Sequence, residues 1–186
     1  ISKSFADVTV DGTLGTQGVG GLSGANTDGL IEDSYAVSDV DGGSLVGGLV
    51  GANYGRIARS YTASDVDADG SGREGGLVGV NEESVDGAYW DMDATEPSSS
   101  PAGTGLTTEQ MTSKSAVDNM SGLDFDGTWE TTDSYPRLSW ELEADGSDED
   151  IGTDDASDTG LTTILLALVA VVLVVLVSVI LLKRRE

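Results

Sequence analysis

Asp65-Val66-Asp67-Ala68-Asp69-Gly70 repeats the first half of a calcium-binding loop, where alternate aspartates turn carboxylates onto one cation and a glycine permits the sharp bend. Such a loop supplies about six to eight oxygens and is completed by a bidentate Glu at its twelfth position. Here that position is Gly76, and Glu74 falls two residues short. Asp65, Asp67 and Asp69 are therefore a candidate calcium set, read against a solvated acidic turn of the same composition. Asp39-Val40-Asp41-Gly42 echoes the pattern, and cations could bridge the two segments if the chain stacks them side by side. Asn119-Met120-Ser121 is the one N-x-Ser/Thr acceptor and marks Asn119 as a candidate glycosylation site. Arg56 and Arg59 flank Ile57 and either bind an anionic sugar or screen neighbouring acids.

Other catalytic chemistries lack their residues. The chain has no His and no Cys, which removes the commonest general base, the usual zinc ligands and a thiolate nucleophile. There is no Gly-x-Ser-x-Gly and no phosphate-binding loop. Carboxylate pairs are so abundant that their presence discriminates nothing. We expect no catalytic residue and no cofactor here beyond the calcium candidate.

The elements that must carry these residues are set by a repeat. Gly20-Gly21-Leu22-Ser23-Gly24-Ala25-Asn26, Gly47-Gly48-Leu49-Val50-Gly51-Ala52-Asn53 and Gly75-Gly76-Leu77-Val78-Gly79-Val80-Asn81 share one pattern, and Tyr35, Tyr61 and Tyr89 follow on the same beat. A fixed period of this length predicts a stacked, quasi-one-dimensional architecture. Gly21, Gly24, Gly48, Gly51, Gly76 and Gly79 suit corners and close backbone approach, and Leu22, Leu49 and Leu77 should stack in the interior. Asn26, Asn53 and Asn81 either form an amide ladder or occupy left-handed turn positions. Ile57–Ala63 alternates like a strand. Its counterpart Leu30–Val37 carries one extra residue ahead of it, which a bulge would absorb.

The chain of 186 residues holds 33 acidic against 9 basic residues, a net charge of −24, and Asp outnumbers Glu two to one. A field of this sign repels nucleic acid and anionic membrane surfaces, so nucleic acid is excluded as a partner. Self-repulsion would destabilise the compact state unless salt screens it. The composition is that expected of a halophilic protein in molar salt.

Leu161–Leu182 is free of charge and is followed by Lys183-Arg184-Arg185. At 1.5 Å per residue a helix of this length matches a hydrocarbon core of about 30 Å. The basic cluster predicts a cytoplasmic C-terminus and an extracellular repeat region. The lipid bilayer is thus the expected partner of Leu161–Leu182. Residues 141–160 read as an acidic, extended stalk. The opening residues resemble the interior of a repeat, so the chain reads as the C-terminal part of a longer protein.

The run Gly47-Gly48-Leu49-Val50-Gly51-x-Asn53-x-Gly55-x-Ile57-x-x-Ser60-Tyr61 resembles the GLUG repeat family, and the likeness covers residues 1–90. Tyr89-Trp90-Asp91 and Gly103-Thr104-Gly105-Leu106-Thr107-Thr108-x-Gln110-Met111 are similar to the segment closing such arrays. The third copy departs from the pattern after Asn81, where Glu82-Glu83-Ser84 replaces the Gly-x-Ile step. The resemblance implies large secreted or surface proteins, among them bacterial adhesins and an immunoglobulin protease, in which the repeats are non-catalytic. With the acidic composition it implies a halophilic archaeal source.

The expected fold is all-β: a β-solenoid at 1–90 with two or three short strands per repeat, and a small mixed cap at 91–140 covering its end. A stalk follows at 141–160, one transmembrane helix at 161–182 and a basic tail at 183–186. Thr107-x-x-Gln110 should open a short helix in the cap as a capping box, and the cap's aromatics could instead line a carbohydrate platform. The functional expectation is a membrane-anchored, non-catalytic surface scaffold for adhesion or envelope interaction, facing an envelope glycan or protein. The alternative is the stem and anchor of a longer exported enzyme.

Overall fold

The computed structural model describes residues 1–13, 17–67 and 72–146. Two compact units are distinguished, Ile1–Glu143 and Ala144–Glu186. Of the second only residues 144–146, the end of a helix, are described. Asp69, most of the stalk, Leu161–Leu182 and the basic tail lie outside the described residues. Among the described residues no helix is long and apolar enough to cross a membrane.

The first unit is dominated by strands, and the first two Gly-Gly-Leu-x-Gly-x-Asn repeats each add a strand to each of four parallel sheets, while the third adds strands to three of them. A tyrosine sheet joins Phe5–Ala6, Tyr35–Ala36, Tyr61–Thr62, Tyr89–Asp91 and Thr104–Leu106 in that order. An aspartate sheet joins Thr9–Asp11, Asp39–Asp41 and Asp65–Asp67. A third joins Val19–Gly20, Leu45–Gly47 and Arg73–Gly75. The fourth and longest holds Ser23–Glu32, Val50–Ala58, Val78–Asn81 and Val85–Asp86. Register follows the repeat: Val10 pairs Val40 and Val40 pairs Val66, while Ala25 pairs Ala52 and Ala52 pairs Val80. The set is four strands per repeat rather than the expected two or three, because the Asp-Val-Asp segments are strands and not turns.

Alternation then fills the interior. Leu49 and Leu77 are fully buried beside Val50, Ile57 and Trp90, with Leu22 packed against them. Val19, Val40, Val46 and Val66 form a second interior cluster. Glycine is obligatory where layers touch: a Cβ on Gly48 would meet the carbonyl oxygen of Gly76, and one on Gly76 would enter the indole of Trp90.

The expected single strand at Ile57–Ala63 is broken in two. Arg59 lies at φ +47° and turns the chain between Ala58 and Tyr61. Lys3 (φ 48°), Asp33 (φ 47°) and Gly87 (φ 57°) hold the equivalent corner in the other layers. Left-handed backbone costs a residue with a Cβ about 1–2 kcal/mol. Here the corner N–H groups of Lys3, Asp33 and Arg59 each donate to a carbonyl of the next layer, namely Glu32, Ala58 and Asp86. The bulge expected before Leu30 is present: register slips between Thr27 and Leu30, where Asp28 sits at φ 56°.

Arg59 grips the corner before it. Its Nε donates to Asp33 Oδ1 at 2.8 Å and its Nη2 to Glu32 Oε2 at 2.7 Å, which raises the guanidinium pKa further. The Asp33 side chain is only 8% exposed. Arg59→Ala strands that carboxylate and is expected to lower stability by about 2 kcal/mol, discounted for the half-exposed guanidinium. Arg59→Gly removes the same pair but relieves the corner, so it should cost about 1 kcal/mol less than the alanine variant. Urea titrations of both variants at one fixed high salt concentration check this; equal losses would refute the strain argument.

Residues 91–140, expected as one cover for the array's end, divide in two. Ser99–Leu106 closes the end: Gly76 N–H donates to Ser99 O, Leu77 and Val78 N–H donate to Ser100 Oγ, and Thr104–Leu106 pairs with Tyr89–Asp91. The remainder is a small module. It comprises helix α1 (Thr108–Met111), helix α2 (Ser115–Asn119), an antiparallel pair Trp129–Glu130 with Arg137–Leu138, and helix α3 (Ser139–Gly146). Thr107 caps α1 with Gln110 in a reciprocal capping box. This module lies along the side of the stack, against the tyrosines.

A candidate ligand groove beside the tyrosine stack

Ala36 faces the interior and its neighbour Tyr35 the opposite face of the same short strand, so the tyrosine column points away from the stacked core. Parallel register places the rings one above another. Phe5 stacks on Tyr35 with centroids 5.3 Å apart, and Tyr35 on Tyr61 at 5.0 Å with planes 4° apart. Met111, Ala116, Met120, Leu123, Trp129 and Leu138 of the side module close over them. Each hydroxyl packed at this seam has a partner: Tyr35 donates to Glu141 at 2.9 Å, Tyr61 to the Pro136 carbonyl, and Tyr135 to Asp91 at 2.6 Å. The Tyr89 oxygen accepts from Gly122 N–H.

Burial, and then a hydrogen-bonded carboxylate, pushes the Tyr35 and Tyr135 phenols up, and burial does the same for Tyr61. Tyr35 and Tyr61 are raised well above the usual value, and Tyr135 is pushed up to about 12 from 10.0. The neutral phenols are therefore favoured in the folded state. Their contribution is complete below pH 10 and is lost as pH rises through the folded values. Alkaline titration followed by phenolate absorbance and circular dichroism should show stability falling from about pH 10 towards 12 for Tyr135, with ionisation and unfolding coincident. Ionisation without unfolding would refute the burial argument.

Beside this column two cavities of about 230 and 490 Å³ adjoin, sharing Asp7 and Val37. The smaller is walled by Phe5, Tyr61, Tyr135, Thr132, Ser134 and Arg137. The larger continues over Thr9, Ser38 and Ala63 to Asp39 and Asp65. Phe5 (41%) and Trp140 (44%) are exposed, with ring centroids 6.0 Å apart. Exposed ring faces next to hydroxyl, carboxylate and guanidinium groups suit a polyhydroxylated or cationic ligand.

The structure places the candidate residues as follows. Asn26, Asn53 and Asn81 lie within strands, and Asn26 Nδ2 donates to Asn53 Oδ1 at 2.8 Å while Asn53 Nδ2 donates to Asn81 Oδ1 at 2.7 Å. The amide ladder is therefore the arrangement present. Asp65 and Asp67 sit on an extended strand and project outwards on either side of buried Val66, in register with Asp39 and Asp41. Extended backbone spaces alternate carboxylates about 7 Å apart instead of wrapping them round one cation. Among the described residues no three acidic side chains converge on a metal position. Arg56 approaches Asp86 at 3.8 Å, both exposed, and Arg59 is committed to its corner. Asn119 ends α2, and its Nδ2 donates to Ser115 O at 2.9 Å.

Sequence reasoning aligned Phe5 with Tyr61 but did not find the ring column, the groove, or the roles of Glu141 and Asp91. Phe5 had a signal: it stands where the tyrosines stand.

No family model matches the chain, and no solved structure matches it. A Gly-rich membrane protein of Evansella cellulosilytica is 32% identical over 142 residues, covering 74% of this chain and 13% of the relative. A halomucin of Haloquadratum walsbyi is 37% identical over 130 residues, covering 63% of this chain and 1% of the relative. The chain thus spans a small part of the length of both relatives, and its likeness is to long proteins named for a membrane and for a halomucin.

Proposed function

We propose that this chain is a membrane-anchored, non-catalytic surface scaffold of halophilic type, in which residues 1–90 form a GLUG-like β-solenoid displayed outside the cell. The carrying observation is the in-register parallel pairing of all three Gly-Gly-Leu-x-Gly-x-Asn copies. The names of the two relatives support a surface or membrane-associated protein, and the acidic composition supports a high-salt setting. On this reading Leu161–Leu182 crosses the bilayer with Lys183–Arg185 inside, and the groove at Phe5 and Arg137 meets an envelope glycan or protein. A glycan on Asn119 is a further part of the same proposal.

The test is to express the full chain in membranes at high salt and treat intact cells with an impermeant protease and an impermeant label. Cleavage of the repeat region from outside, with the tail protected, is expected; protection of the repeats would overturn the topology. Binding of labelled protein to cell envelopes, reduced at least tenfold by Phe5→Ser, would support the adhesive role. The second reading, a stem of a longer exported enzyme, is favoured by the small share of each relative that the chain spans. It predicts hydrolytic activity in a longer form alone.

A further inference from the structure

The side-chain ladders have a direction, and their two ends differ. Each asparagine donates Nδ2 to Oδ1 of the next layer, and at the far end Asn81 Nδ2 closes on the Glu83 carbonyl at 2.7 Å. At the near end nothing closes it: among the described residues no hydrogen bond reaches Asn26 Oδ1, and that oxygen stays open to solvent. Serines run in the same sense. Ser4 N–H donates to Ser34 Oγ and Ser34 N–H to Ser60 Oγ, each at 3.2 Å, while each hydroxyl donates to the carbonyl two residues before it. Ser4 Oγ is left as the next acceptor in line. Phe5 offers the outer ring face of the aromatic column, partly covered by Trp140.

A layer that terminates a repeat stack has a polar outer face. This one exposes Ile1 (53%), Phe5 (41%) and Val8 (50%), and Phe5–Ala6, Thr9–Asp11, Val19–Gly20 and Ser23–Glu32 are all edge strands. We propose that this face is a docking surface whose occupant is one more turn of the same repeat. That turn would set an asparagine amide on Asn26 Oδ1, a backbone N–H on Ser4 Oγ and an aromatic ring on Phe5. A second copy of the chain meeting face to face does not fit, because acceptor would meet acceptor along both ladders.

Ile1 is equivalent to Ile31 and Ile57, since Ser2 bridges Glu32 and Ile31 pairs Ile57. Duplicating residues 31–56 directly ahead of Ile1 in the full chain therefore adds one in-register turn. At high salt the thermal midpoint should rise by about 5 °C or more, and the added residues should resist protease. The same duplication carrying Asn53→Leu in the added copy should lose most of that gain. A peptide of residues 31–56 should bind the undoubled chain saturably, and at least tenfold more weakly to the Asn26→Ala variant. An added turn that is digested with no rise in midpoint, or a peptide indifferent to Asn26, overturns the proposal. So does a concentration-dependent dimer of the undoubled chain that Asn26→Ala abolishes.

Discussion

Asn53→Leu is expected to lower the stability of the repeat unit by about 3 kcal/mol, the cost of stranding buried polar partners on both sides of the replaced residue. Asn53 has no exposed surface; it receives the amide of Asn26 and gives its own to Asn81. Leucine is close in volume, so no cavity is formed. The loss comes from an Asn26 amide left with weaker carbonyl contacts to Gly29 and Arg56, and from an Asn81 oxygen with no donor. The outer positions should respond less. Asn81→Leu breaks one link of the ladder instead of two, leaving the Asn53 amide without its acceptor, and should cost about 2 kcal/mol. Urea midpoints at constant high salt decide this; equal effects at positions 53 and 81 would mean the amides act as separate turn residues.

Tyr61→Ala is expected to cost about 4 kcal/mol, since it empties a fully buried aromatic site. The ring is shared: it stacks on Tyr35 and lies 5.5 Å from Trp129 and 6.2 Å from Tyr135, so both the strand column and the side module lose contact. Tyr61→Phe keeps the ring and removes only the hydrogen bond to Pro136 O, for about 1 kcal/mol. Tryptophan fluorescence should report release of Trp129 in the alanine variant before far-ultraviolet dichroism reports loss of strands. If both signals change together in both variants, the module is not held by the ring column.

How far this arrangement can be read from the chain depends on what spacing encodes. Register is encoded, because any fixed period that puts Leu22, Leu49 and Leu77 inside also aligns Asn26 with Asn53 and Asn81. The bulge at Asp28 is encoded too, as an extra residue with nowhere else to go. The face of a two-residue strand is not encoded, so Tyr35, Tyr61 and Tyr89 gave a beat but no direction. Asp-Val-Asp reads equally as the start of a cation loop or as a strand with valine inward, since both need alternation. The corners at Lys3, Asp33 and Arg59 carry none of the residue types that favour a left-handed backbone apart from the aspartate. Interlayer hydrogen bonds hold those corners, and those bonds exist only once the layers are stacked. The groove had no signal, because it arises where a distant module meets the stack.

The contact between Trp140 and Phe5 has a mechanical consequence. The chain leaves the side module next to the first layer, not beyond the last one, so the two ends of the folded unit emerge at the same end of the stack. Tension applied between Ile1 and Glu143 within α3 therefore does not run through the layers in series. It falls first on the aromatic contact and on the Glu141 clasp with Tyr35 and Arg137. Under shear the unit should shed α3 at low force as a fuse, while the ladders beneath, loaded only after the module lets go, keep the displayed face intact.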